Sequence, residues 1–158
     1  MKEYFQKLYA YNAWADNRVL NCLERQQVTD EKTLRVFGHE VSAQLIWYAR
    51  IRSLPKSQLQ LWADYSVHAL KPLVEEASRL WLHYVNTEES FDQLLKYTNF
   101  TGAYYETVIR DLMCHIVNHS TYHRGQVAVL LREKRYEPVN TDFITYDRIL
   151  SGQLKENL

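Results

Sequence analysis

The stretch that decides the fold is TVIRDLMCHIVNHSTYHRGQVAVLLREKR, residues 107–135. Leu112, Ile116, Val127 and Leu130 recur on one side of a 3.6-residue period, which predicts a long amphipathic helix. The rest of the chain agrees with it. Only 4 Gly and 3 Pro occur in 158 residues, where an average protein would carry roughly 7% Gly and about 5% Pro. These two residues supply most turns, so a chain this poor in them spends little length turning. That disfavours a sandwich or barrel and disfavours disorder. It favours a few long helices in one domain spanning residues 1–158.

Working outward, Phe5, Leu8, Tyr11, Ala15, Val19 and Cys22 predict a first helix over 2–26. A second covers 31–53, with Thr29 or Asp30 as its cap and Leu54-Pro55 closing it. Residues 56–65 form the longest irregular connection. A third helix covers about 66–87, with Pro72 within its first turns, and near N1 if the helix starts at Leu70 or Lys71. Residues 91–106 are rich in Tyr, Phe and Thr around Asn99 and Gly102, which fits a short hairpin or extended segment. A short terminal helix follows Pro138, near 142–151, with Asp142 or Thr141 as its cap. The sum is an all-α four-helix bundle with small additions.

Lys plus Arg and Asp plus Glu both total 19, so the net charge is zero and no nucleic-acid footprint is expected. No apolar run approaches the roughly 18 residues that span a bilayer. The N-terminal MKEYFQKLYAYNAWAD holds no uninterrupted apolar core of a signal peptide. The expectation is a cytoplasmic protein without membrane or nucleic-acid partners, with Cys22 and Cys114 as reduced thiols.

Three of the six histidines fall in HIVNHSTYHRGQ, residues 115–126. Neighbours four apart share a helix face and can converge on one ion; a pair eight apart is separated by about 12 Å along the axis and cannot. Two pairs are therefore open, His115 with His119 or His119 with His123. On the helical wheel His123 falls near the middle of the apolar face, His119 slightly to one side and His115 farther out. Buried imidazoles need partners, and a shared metal supplies them. This selects His119 and His123. His39 shares the second helix's inward face with Val36, Ala43 and Ile46, and is the best third ligand. Gly38 before it suggests close approach of backbone or ligand, and Gly125 close helix packing. His68 and His83 have no paired partner and read as structural. Three neutral imidazoles suit zinc or nickel, with iron and copper as further options. They leave a coordination position for water or substrate. No HExxH is present.

Several of these segments are familiar. HIVNHSTYHRGQ resembles the DinB family, within the DinB/YfiT-like metalloprotein superfamily. YNAWAD (11–16) resembles the family's N-terminal signature, and Gly38 through IWYARI (46–51) its second helix with the inward His. Thr101-Gly102 and PVNTDF (138–143) resemble its loop before the last long helix and its ending. The resemblance implies an up-down-down-up four-helix bundle and a divalent metal, commonly zinc or nickel, on His39, His119 and His123. Many members carry a second His just before the last ligand; here that residue is Tyr122, a change that bears on the pocket rim. His115 matches a common His one turn upstream, beside the site or structural.

The family includes thiol-dependent enzymes, among them a mycothiol-dependent isomerase and bacillithiol S-transferases. The implied activity is therefore that of a metal-dependent S-transferase or isomerase acting on a small molecule with a low-molecular-weight thiol as cosubstrate. The alternatives are a metal-dependent hydrolase and a non-catalytic, stress-linked metal- or ligand-binding bundle. A homodimer is compatible with the aromatic-rich helices and with the family. Around the ligands, Arg124 either holds a substrate carboxylate or pairs with an acid such as Asp16. Gln126 follows it. Asn12 and Trp14 line or support the pocket, with core packing the default for Trp14, and Arg50, on the His39 face, is a substrate or helix-cap contact.

Overall fold

The computed structural model describes residues 1–55 and 60–156. In chain order it places helix α1 at Lys2–Arg25, α2 at Glu31–Ile51 and α3 at Val67–Thr87. Strands β1 (Leu94–Thr98) and β2 (Tyr104–Val108) follow, then α4 at Ile109–Glu133 and α5 at Phe143–Leu150. The protein is mostly helical with one small sheet.

Local chemistry sets the boundaries. Asp30 caps α2 by accepting from the Thr33 amide at 3.0 Å. The helix stops at Ile51, two residues before the expected end, because Ser53 turns into the left-handed region (φ 50°) and Leu54 N–H closes back on Ala49 C=O. Ser66 caps α3 through the Ala69 amide. The helix thus starts near its expected beginning, and Pro72 falls within its first turns rather than near N1. There it withholds the amide that would bond the carbonyl of His68, on an exposed turn. α5 starts after Asp142, but no side-chain cap bond forms there.

The hairpin pairs Leu94 with Val108 through to Thr98 with Tyr104, antiparallel. Asn99 builds its turn. The Asn99 side-chain carbonyl accepts from the amides of Thr101 and Ala103, each at 2.9 Å, and Gly102 takes φ 86°. Leu95 faces the core, and Tyr97 leans on Trp47 of α2 with ring centres 5.0 Å apart. The hairpin thus becomes a wall beside α2.

α1 packs chiefly on α3 and α2 chiefly on α4, and α2–α3 and α1–α4 contacts close the arrangement. One apolar cluster gathers around Phe5, Tyr9, Trp81, Tyr84, Phe91 and Met113. A second gathers around Leu23, Phe37, Val41, Leu70 and Leu131. Both cysteines are free thiols, Cys22 buried and Cys114 half-buried. No helix among the described residues is long and apolar enough to cross a membrane.

The two helical glycines differ. A Cβ on Gly38 would sit 2.3 Å from Cδ2 and 2.8 Å from Cε2 of Tyr65. Tyr65 is itself held to Ser42 by a 3.1 Å hydroxyl–hydroxyl bond. The close approach expected at Gly38 is therefore that of the residue 60–65 connection. At Gly125 the expectation of close packing is corrected: the residue is exposed and a Cβ would meet nothing within 4 Å. For Gly38→Ala, overpacking costs about 1–3 kcal/mol, and the better helix propensity of Ala returns up to about 1 kcal/mol. The expected net is a loss on the order of 1 kcal/mol in urea unfolding. A variant as stable as the parent would show that Tyr65 yields freely.

Candidate metal centre

α4 presents His119 and His123 one turn apart, and α2 brings His39 across from them. His39 and His123 are 5% and 7% exposed. The Nε2 atoms of His39 and His119 are 3.3 Å apart, and those of His123 and His119 3.1 Å. The candidate ligand atoms of all three rings lie within 4.8 Å of one another.

Their outer nitrogens settle what the inner ones offer. His39 Nδ1 lies 2.9 Å from the carbonyl oxygen of Leu61, which only accepts, so Nδ1 carries the proton. His123 Nδ1 donates in the same way to Gln126 Oε1 at 2.7 Å. Each neutral ring has one N–H, so Nε2 of both presents a bare lone pair to Nε2 of His119. His119 can offer one hydrogen at most, which leaves at least one of these lone pairs without a donor.

Protonation does not resolve this. Burial, followed by the neighbouring His123, His39 and His115, pushes His119 down to about 3. Burial likewise lowers His39 and His123, against the raising influence of their Leu61 and Gln126 partners. A cation at the shared point satisfies all three lone pairs at once. Bond lengths of 2.0–2.1 Å in a tetrahedral zinc site put nitrogens about 3.3–3.4 Å apart, close to the spacing found. The three-His group could therefore hold a divalent ion.

The connection after α2 completes this corner. Trp62 stacks on His39 with ring centres 3.6 Å apart and planes within 5°, and Leu61 fixes the tautomer. Neither stands out in the sequence. The one available signal was a large apolar ring, Trp62, in an otherwise irregular and polar stretch. The part of the expected connection at residues 56–59 lies outside the described residues.

The sequence profile of the DinB family matches residues 1–153. The chain belongs to the DinB family. It is also similar to Protein DinB of Bacillus subtilis (strain 168), 24% identical over 163 residues, covering 92% of this chain and 95% of that one.

The other candidate residues of this DinB-family chain separate into distinct places. Arg50 joins His39 and His119 in lining a cavity of about 340 Å³, walled by Ala43, Ile46, Trp47, Leu61, Tyr97, Asn99, Phe100 and Tyr105. Tyr122 is exposed, its ring 5.2 Å from that of His123. His115 is exposed beside Trp47 and outside the group of three. His68 and His83 are exposed as well.

Arg124 takes the second of its two expected roles, the ion pair with Asp16. It is 2% exposed, and its Nη1 donates to Asp16 Oδ1 at 2.6 Å and to Asn12 Oδ1 at 2.8 Å. Asn12 Nδ2 and Gln44 Nε2 donate to the other Asp16 oxygen, and Gln44 Nε2 also donates to Glu40 Oε1 at 2.7 Å. Arg124 neighbours His123 in the chain and Glu40 neighbours His39. This buried network therefore ties α1, α2 and α4 together behind the histidines, and Asn12 supports the site from there. We read Asp16 as the anion paired with Arg124. Burial, then the negative Asp16, pushes Glu40 up to about 8, which keeps it neutral at pH 7. Trp14 lies elsewhere. Its ring packs on Tyr11 and Tyr146, as the core-packing default expected, and its N–H donates to Glu156.

Proposed function

We propose that this protein is a metal-dependent thiol S-transferase on an up-down-down-up helical bundle, with zinc or nickel on His39, His119 and His123. The observation that carries the reading is the convergence of three Nε2 atoms, two of them fixed as bare lone pairs, at the end of a substrate-sized cavity. A bound divalent ion would supply the positive charge that favours a thiolate over its thiol near neutral pH.

The protein's own residues position and exclude. The Leu61 carbonyl and Gln126 hold two rings with their lone pairs inward. Trp62 covers one face of His39, and Trp47, Tyr97 and Phe100 give the substrate an apolar wall. The transfer balances as R–SH plus R′–X giving R–S–R′ plus HX. The C–S bond forms as the C–X bond breaks, X leaves with the electron pair, and the thiol proton passes to solvent. Among the described residues, the cavity lining holds no Asp or Glu. A hydrolase would need a base there to activate water, whereas an S-transferase receives its nucleophile with the cosubstrate.

The test is direct. Zinc-loaded protein is assayed with small thiols, such as glutathione and cysteine, against monochlorobimane and other electrophiles. We expect conjugation at least about tenfold above the protein-free rate, lost on chelation and restored by zinc. A protein that takes up metal yet neither binds a thiol nor conjugates any electrophile in the panel would overturn the activity.

A further inference from the structure

The cavity beside the histidines continues into a second one of about 650 Å³, and Ile46, Arg50, Tyr97, Asn99 and Phe100 line both. Arg50 stands where they meet. Its guanidinium carbon lies 4.4 Å from the ring centre of Trp47, 5.0 Å from that of Phe100 and 5.2 Å from that of Tyr97. Such cation–π contacts hold a guanidinium flat against the rings and leave its N–H edge free for another partner. Among the described residues, no carboxylate meets Arg50 and no oxygen accepts from it. The contrast with Arg124 is sharp, since that side chain meets four acceptors.

The surroundings have one sign. Among the described residues of both linings the charged ones are Arg50 and Lys96, with no Asp or Glu, and Lys96 already reaches Glu106 at 3.5 Å. Burial is the main influence on Arg50 and lowers it from its ordinary value, as expected for a cation without a counter-ion. His39 and Arg50 are eleven residues apart on one face of α2, about 16 Å along the helix. The cavity beside the histidines therefore has two chemically different ends, the imidazoles of His39 and His119 and the guanidinium of Arg50, joined by aromatic walls.

We propose that the substrate of this cleft carries a carboxylate that Arg50 binds through its planar N–H edge, with an apolar body along Trp47, Tyr97 and Phe100 and its reacting end at His39 and His119. A carboxylate suits this edge because it accepts two parallel N–H bonds in one plane. Only the placing of the reacting end rests on the S-transferase reading.

Calorimetric titration of zinc-loaded full-length protein with 6-mercaptohexanoate and 6-mercaptohexanol tests this. The two probes share a thiol and a chain and differ in the distal group. The acid is expected to bind at least about tenfold more tightly, the size of a charge-assisted hydrogen-bond pair. Arg50→Met keeps an apolar stem against the rings and should equalise the two probes, while Arg50→Lys should keep part of the preference. Equal affinities in the parent, a preference that survives Arg50→Met, or failure of both probes to bind would each overturn the proposal. Zinc content is measured separately. A protein that takes up no zinc yet prefers the acid through Arg50 refutes the metal centre and leaves the carboxylate site standing.

Discussion

His123→Ala is expected to leave the purified protein without stoichiometric metal. The remaining pair, His39 and His119, sits on two different helices, with 3.3 Å between Nε2 atoms. Removing His123 also frees Gln126, whose side-chain oxygen accepts the His123 N–H. Structural zinc sites bind with about 10–16 kcal/mol shared among four ligands, so one imidazole accounts for about 2.5–4 kcal/mol, or roughly a hundred- to a thousandfold in affinity. His119→Ala should do the same, because its Nε2 faces both other rings. His115→Ala should keep nearly the full complement, since that ring stands outside the group. Gln126→Ala belongs between these, with a loss of about 10–100-fold through misplacement of the His123 ring. Elemental analysis after dialysis and a competitive chelator titration read all four. Full metal in His123→Ala would refute the proposed ligand set.

That ordering among the histidines was legible before any coordinates, because a helix converts sequence spacing into angle. Leu112, Ile116, Val127 and Leu130 define a face, and the face ranks His123, His119 and His115 by depth. The same logic placed His39 inward through Val36, Ala43 and Ile46. The hairpin was readable for a different reason. Asn99 and Gly102 mark a turn between two runs rich in aromatic and β-branched residues.

The connection after α2 has no period to exploit. The bond from His39 to Leu61 and the stack of Trp62 on His39 join residues more than twenty positions apart, and nothing in an irregular stretch fixes which side chain returns to the helix. Helical glycines were ambiguous for a related reason. Gly38 and Gly125 look alike in sequence, yet one faces Tyr65 and the other faces open space. Buried charge was only partly readable. The pairing of Arg124 with Asp16 was one of two options, and nothing marked Glu40 or the burial of all three among a balanced set of 19 acids and 19 bases. Only the packing of three helices shows that these are nearly or fully removed from water.

Removing Arg124 should be the most damaging single change to the fold. In Arg124→Met the stem volume is largely kept, but Asp16 loses its cation at 2.6 Å while staying 2% exposed. Breaking one side of a buried ion pair costs about 3–5 kcal/mol, because the other charge is left without compensation. For a chain of this length the midpoint should fall on the order of 10 °C. The loss is electrostatic rather than steric, so a second change should recover much of it. Asp16→Asn in the same chain removes the orphaned charge and still offers hydrogen-bonding atoms near Asn12 and Gln44, which now meet the Asp16 carboxylate. Thermal unfolding of the parent, both single variants and the double variant forms a cycle. The pair should show a coupling well above the ~0.5 kcal/mol of independent sites. If Arg124→Met melts within about 2 °C of the parent, the network is not what joins α1 to α4. If the double variant is as unstable as the sum of the singles, the damage came from lost packing. Metal content of the double variant carries the argument to the site. The network sits directly behind His39 and His123, so a refolded double variant that still binds zinc would assign Arg124 to holding the helices and not to the chemistry in front of them.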